Sequence, residues 1–162
     1  MVNRIFAKLS DDQRRALAQW TVDSERYSDV TAWPLTFLHR FGNLLVYLPF
    51  EKFQFLSRLQ MLATLDVLLT NNLTTIQERF IIHNILKEGK AMSAADFERL
   101  GRLICSATTQ DLIPYKQNLQ VFDIIKRQLL NCIGNQIFVP NELVSQLYAT
   151  SVLAESVSGQ SG

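Results

Sequence analysis

Three stretches, FGNLLVYLP (Phe41–Pro49), LGRLICSAT (Leu100–Thr108) and IGNQIFVP (Ile133–Pro140), follow one order: a large apolar residue, glycine, a polar residue, then an apolar run. A glycine inside a helix costs about 1 kcal/mol relative to alanine. Three such glycines in matching settings point to a recurring benefit. The simplest is close approach of two helices, where any side chain would hold them apart. Each glycine is followed, after several residues, by a helix-starting residue, Pro49, Thr108 or Pro140, and then by an acidic one, Glu51, Asp111 or Glu142. Gly42, Gly101 and Gly134 are therefore read as structural glycines of stacked helical hairpins. Their unequal spacing excludes a regular tetratricopeptide or ankyrin array.

Helix signals surround these stretches. Ser10-Asp11-Asp12-Gln13 spells a capping box, in which side chains satisfy the first free amides of a helix running to about Trp20. The polar run TVDSERYSDVT reads as a loop. Trp33-Pro34 then opens a helix with Leu35, Leu38, Phe41 and Leu45 at three- and four-residue steps. Pro49 starts the next, and Arg58 to Leu69 reads as another, through Leu59, Leu62, Leu65 and Leu69. Thr74 and Thr75 start a long helix to about Glu88, with Gly89 as its stop. Ser93 with Asp96, and Thr108 with Asp111, cap two more. Leu119 to Cys132 forms a helix bearing Phe122, Ile125 and Leu129, and Pro140 opens a last one. The fold class is all-α: an irregular armadillo-like helical repeat, as a short α-solenoid or compact superhelical bundle of about eight or nine helices. No long linker divides the chain, so a single domain is expected over 1–152, with a flexible tail of polar and small residues at 153–162.

Composition narrows the function. The chain has 162 residues, 48% apolar and 19% charged, with a formal net charge of +1 from 16 basic and 15 acidic side chains. Nucleic-acid binding needs a basic surface that displaces counterions, and here both signs are mixed along the chain, so no nucleic-acid partner is expected. The most apolar stretch, Leu59–Leu69, is broken by Gln60, Thr64 and Asp66, short of the roughly 18 apolar residues of a transmembrane segment. The opening MVNRIFAKLSDDQ lacks the apolar core of a signal peptide. That leaves a cytosolic protein or one that begins after a removed signal. Cys105 and Cys132 read either as two buried free thiols or as one disulfide in an oxidising compartment.

The pattern of apolar residue, glycine, any residue, apolar pair and a proline- or threonine-started helix resembles the mesothelin, stereocilin and otoancorin group. LGRLICSATTQDLIPY carries the resemblance best, including the cysteine after the glycine, and FGNLLVYLPFEKFQFLS follows it. The other two glycine stretches lack that cysteine. The resemblance implies an extracellular, superhelical protein of armadillo-like repeats, attached to cell surfaces or extracellular gels, with a noncatalytic adhesion or matrix role. Asn72-Leu73-Thr74 is a possible glycosylation triplet at a helix junction, although Thr74 also serves as a helix cap.

Little in the sequence points to catalysis. His39 and His83 stand on different helices beside apolar stripes, without cysteine or histidine at zinc-ligand spacing. Asp96 and Glu98 are two apart on a helix and point differently, so they form no carboxylate pair. No phosphate-binding glycine loop is present. The expectation is a nonenzymatic chain without cofactor or metal. Its work would be contact with a protein partner, through Tyr47, Phe50, Phe53 and Phe55 or through Trp20 and Trp33 at the ends of the polar loop. A cytosolic scaffold or adaptor domain of a larger regulatory protein is the alternative to the extracellular module.

Overall fold

The computed structural model describes residues 8–135, together with 137, 139 and 143–145. These residues form helices and turns with no β-strand. The expected domain end at 152 and the tail at 153–162 lie outside them, as do Gln136, Phe138 and Pro140 of the third glycine stretch. The chain is organised as two compact units, one ending at Ile85 and one beginning at Leu86.

In the first unit, helix α1 (Asp11–Asp23) starts at the expected capping box. Ser10 Oγ accepts from the Gln13 amide at 3.2 Å, and Gln13 Oε1 accepts from the Ser10 amide at 2.9 Å. The helix runs past Trp20 into the polar run, and buries Ala18 and Val22. Two 3-10 turns, Glu25–Tyr27 and Val30–Ala32, lead to α2 (Leu35–Phe41), which buries Leu38 and Phe41. A six-residue 3-10 segment, Gly42–Tyr47, and the short α3 (Phe50–Phe53) follow.

The single helix expected from Arg58 to Leu69 is two, α4 (Arg58–Ala63) and α5 (Leu65–Thr70). They meet at Thr64, whose backbone leaves the helical region (φ −108°, ψ 13°) while its hydroxyl donates to the Gln60 carbonyl at 2.7 Å. Threonine hydroxyls bond back to the preceding turn in this way, and often bend a helix there. Leu59, placed on the apolar stripe by its spacing, is 74% exposed; Gln60, Met61, Leu65 and Leu68 are the buried residues. Helix α6 (Thr75–Leu86) closes the unit behind a box made by Thr74 and Gln77. Two buried amides brace the loops. Gln60 Nε2 donates to the carbonyls of Val30 and Trp33, and Asn84 Nδ2 to that of Leu56. Such satisfied contacts fix irregular backbone that an apolar core alone would leave unspecified.

The second unit opens with a 3-10 turn, Lys87–Gly89. Then come α7 (Ala94–Leu100), a 3-10 segment Gly101–Ser106, α8 (Thr109–Leu112), a turn Ile113–Tyr115, and the long α9 (Leu119–Gly134). Ser93 with Asp96 and Thr108 with Asp111 form the expected capping boxes. The core gathers Phe97, Leu100, Ile104, Ile125 and Leu129, with the Phe97 and Tyr115 rings edge to face at 5.0 Å. A disulfide joins Cys105 of the 3-10 segment to Cys132 near the end of α9.

Gly42 and Gly101 share one backbone conformation, φ 50°, ψ −119° and φ 51°, ψ −126°. Each ends a helix and starts a six-residue 3-10 segment that buries apolar residues, Leu44 and Leu45 in the first and Leu103, Ile104 and Cys105 in the second. An extended residue follows, Leu48 or Ala107, before the next short helix. This combination of angles belongs to the first central position of a type II′ turn, which an L side chain adopts only under strain. Close helix approach is not the reason for these glycines: a Cβ at either position would meet nothing within 4 Å. Close approach is found instead at Gly89, where a Cβ would lie 2.8 Å from the Pro114 Cβ. Gly134 does not share the setting, since it closes α9 without positive φ and with open space around it. Gly134→Ala should therefore be tolerated, raising stability by up to about 1 kcal/mol through a less flexible unfolded chain; a thermal melt of the variant measures this.

Candidate interaction groove

A hollow of about 880 Å³ belongs to the first unit. Helix α1 supplies Asp11, Arg15 and Gln19 at four-residue steps, with Arg14 beside them, so one helical face forms one wall. The Gly42–Tyr47 segment supplies Val46 and Tyr47, and Leu48 to Phe50 continue the lining. Thr70 to Asn72, Thr74, and Ile76 and Gln77 from the first turn of α6 form the far side.

Hydrogen bonds hold this arrangement. Tyr47 donates from its hydroxyl to Asp11 Oδ1 at 3.0 Å and accepts from Arg14 Nη1 at 3.1 Å. The Arg14 guanidinium carbon stands 5.6 Å from the centre of the Tyr47 ring, within cation–π range. Gln77 Nε2 donates to the Val46 carbonyl at 2.9 Å, tying the 3-10 segment to α6. Phe50 packs on Phe53 and edge to face on Phe80, so its ring is fixed from beneath. Tyr47 and Phe50 are thus presented half-buried, in set orientations, beside exposed cationic and amide groups.

The groove collects Tyr47, Phe50 and Asn72 among the candidates named from sequence. It does not collect the others. Phe53 is fully buried against Phe50 and Phe80, which removes it from partner contact. Trp33 is also core. Its ring meets Phe37 and Phe41 edge to face at 4.8 and 5.0 Å, and its Nε1 donates to the Tyr27 carbonyl. Trp20 (71%) and Phe55 (57%) are exposed but do not line the groove. Sequence reasoning missed the wall from α1 and the contributions of Ile76 and Gln77. In the sequence Asp11 stands only as part of the Ser10–Gln13 capping box. The four-residue stripe Asp11, Arg15, Gln19 is a signal of a shared face, but nothing local ties that face to Tyr47.

The groove offers cationic, amide and aromatic side chains. Its described lining contains neither histidine nor cysteine, and its one carboxylate, Asp11, is engaged by Tyr47. His39 and His83 stand on α2 and α6, away from it. Among the described residues no group of three or more His, Cys, Asp or Glu is placed to hold a metal ion. No described helix is long and apolar enough to cross a membrane. A smaller hollow of about 450 Å³ in the second unit runs past the disulfide, Arg102 and Gln128.

Capped short helices, paired glycine turns and a disulfide define a class of all-helical, disulfide-linked module. Comparison with known proteins makes this specific. The chain belongs to the stereocilin family, whose sequence model matches residues 1–161. Human stereocilin and a human stereocilin-like protein are each 27% identical to it over 134 residues, covering 83% of this chain. The chain spans 8% of the length of those relatives. No solved structure matches it.

Proposed function

We propose that this chain is a noncatalytic protein-interaction module of an extracellular or cell-surface protein, acting through the groove of its first unit. The observation that carries this reading is Tyr47, held between Asp11 and Arg14 on the groove wall. A large aromatic side chain fixed in advance loses little conformational freedom when a partner docks, which is what makes such residues strong contact points. The family relationship and the Cys105–Cys132 disulfide support an extracellular setting, because disulfides persist where thiols are not continually reduced. The matched conformations at Gly42 and Gly101 support a repeat architecture of the armadillo-like kind.

The test is a binding screen of the chain against a panel of purified secreted and cell-surface ectodomains. A double variant, Arg15→Glu with Gln19→Arg, serves as the comparison. Both residues are exposed and line the groove, so the variant should melt with the parent. At least one partner should bind the parent about tenfold or more tightly than the variant, a difference of about 1.4 kcal/mol. Equal binding by parent and variant across the panel would refute the groove as the contact surface. Thiol titration of protein purified from its natural source, denatured without reductant, checks the setting. No free thiol is expected; two free thiols would favour a cytosolic adaptor.

A further inference from the structure

We propose that Asn72 carries an N-linked glycan whose innermost sugar packs against Ile76 at the edge of the groove. Asn72-Leu73-Thr74 is the chain's single Asn-X-Ser/Thr triplet. The structure places it between the end of α5 at Thr70 and the start of α6 at Thr75, outside any helix, with Asn72 exposed. The adjacent asparagine shows what a structural amide looks like here. Asn71 Nδ2 donates to Asn43 Oδ1 at 3.0 Å and to the Val67 carbonyl at 2.7 Å. Asn72 makes no hydrogen bond, so its carboxamide is unused by the fold. Thr74 has two uses at two times. Its hydroxyl is required in the triplet while the chain is still extended, and in the folded chain it accepts from the Gln77 amide at 3.1 Å.

A second, independent feature agrees. The Cys105–Cys132 disulfide requires an oxidising lumen, the kind of compartment in which such triplets are modified. The transfer needs a polyprenyl-pyrophosphate-linked oligosaccharide as co-reactant. Asn72 Nδ2 attacks the first sugar carbon and the bond from that carbon to the pyrophosphate oxygen breaks. The electron pair leaves with the pyrophosphate, and Nδ2 gives up one proton to base.

The position of the attached sugar follows from its anchor. Asn72 and Ile76 line the same groove, and Ile76 is 64% exposed, an apolar side chain, mostly open to water, in the first turn of a helix. An N-acetylglucosamine linked to Asn72 offers a C–H face and an acetamide methyl within reach of that side chain. Covering Ile76 removes apolar surface from water, and the sugar hydroxyls remain free to face Arg15 and Gln19 across the groove. The proposal stands independently of what protein the groove binds.

The whole chain, secreted behind an added signal from cells restricted to high-mannose glycans, provides the test. Treatment with an amidase that removes the entire glycan should shift the parent downward on a gel by one glycan. Asn72→Gln should show no shift, and Thr74→Ser, which keeps the triplet, should behave as the parent. A parent that does not shift would overturn the proposal. Trimming to a single N-acetylglucosamine separates attachment from packing. The trimmed protein should melt with the intact glycoform, about 2 °C above Asn72→Gln, and Ile76→Ser should abolish that gap. A glycan that attaches while all three forms melt together would overturn the contact with Ile76.

Discussion

Replacing Cys105 and Cys132 together by alanine should lower the free energy of unfolding by about 3.5 kcal/mol and the melting temperature by roughly 10 °C. The two cysteines are 27 residues apart in sequence, so the bond closes a loop of that order in the unfolded chain and removes conformations the reduced chain could visit. Both cysteines are buried residues, and alanine leaves small voids that add to the loss. The bond fastens the Gly101–Ser106 segment to the last turns of α9, a segment whose 3-10 hydrogen bonds are weaker than those of an α-helix. The first unit does without this fastening. Val46 stands four residues after Gly42, as Cys105 stands four after Gly101, and the Gln77 amide secures its carbonyl instead. Urea denaturation provides a second reading. A cross-link limits expansion of the unfolded chain, so the alanine variant should show a steeper dependence on denaturant. Parent protein in excess reductant should approach the variant's melt. A variant within 2 °C of the oxidised parent would show that the bond does not secure the unit.

The capping boxes at Ser10, Ser93 and Thr108 were legible because each is complete within four consecutive residues. The all-helical class followed from them and from apolar periodicity. What could not be read was set by residues distant in sequence. The stretch from Arg58 to Leu69 keeps a helical period throughout, and its break depends on whether the Thr64 hydroxyl turns back onto Gln60. Phe50, Phe53 and Phe55 look alike in a dense aromatic run. Phe80, from α6, is what packs on the first two and leaves the third exposed. Trp33 is claimed by Phe37 and Phe41 in the same way. The groove depends on Asp11 meeting Tyr47 across 36 residues, a pairing without local signature.

Gly42→Ala and Gly101→Ala should each destabilise the protein by about 1–3 kcal/mol, the cost of holding an L residue in a backbone region that favours glycine. The sequence pattern identified these two positions, but for the wrong physical reason, and the size of the substituted side chain separates the two accounts. If glycine were needed to let helices approach, leucine would be far worse than alanine, because each added carbon would have to be accommodated. The surroundings are open instead, with nothing within 4 Å of a Cβ at either position. The penalty is then set by the backbone as soon as a Cβ is present, so Gly101→Leu should melt close to Gly101→Ala. Handedness sharpens the point. A D-alanine at position 101, introduced by chemical ligation, favours positive φ and should be at least as stable as glycine there. Gly89 supplies the contrast, since it combines φ 60° with a Cβ position 2.8 Å from Pro114. There the loss should grow with side-chain size, Gly89→Leu exceeding Gly89→Ala. Chemical denaturation of the six variants decides the matter: a strong dependence on size at position 101, or intolerance of D-alanine, would return the explanation to helix packing.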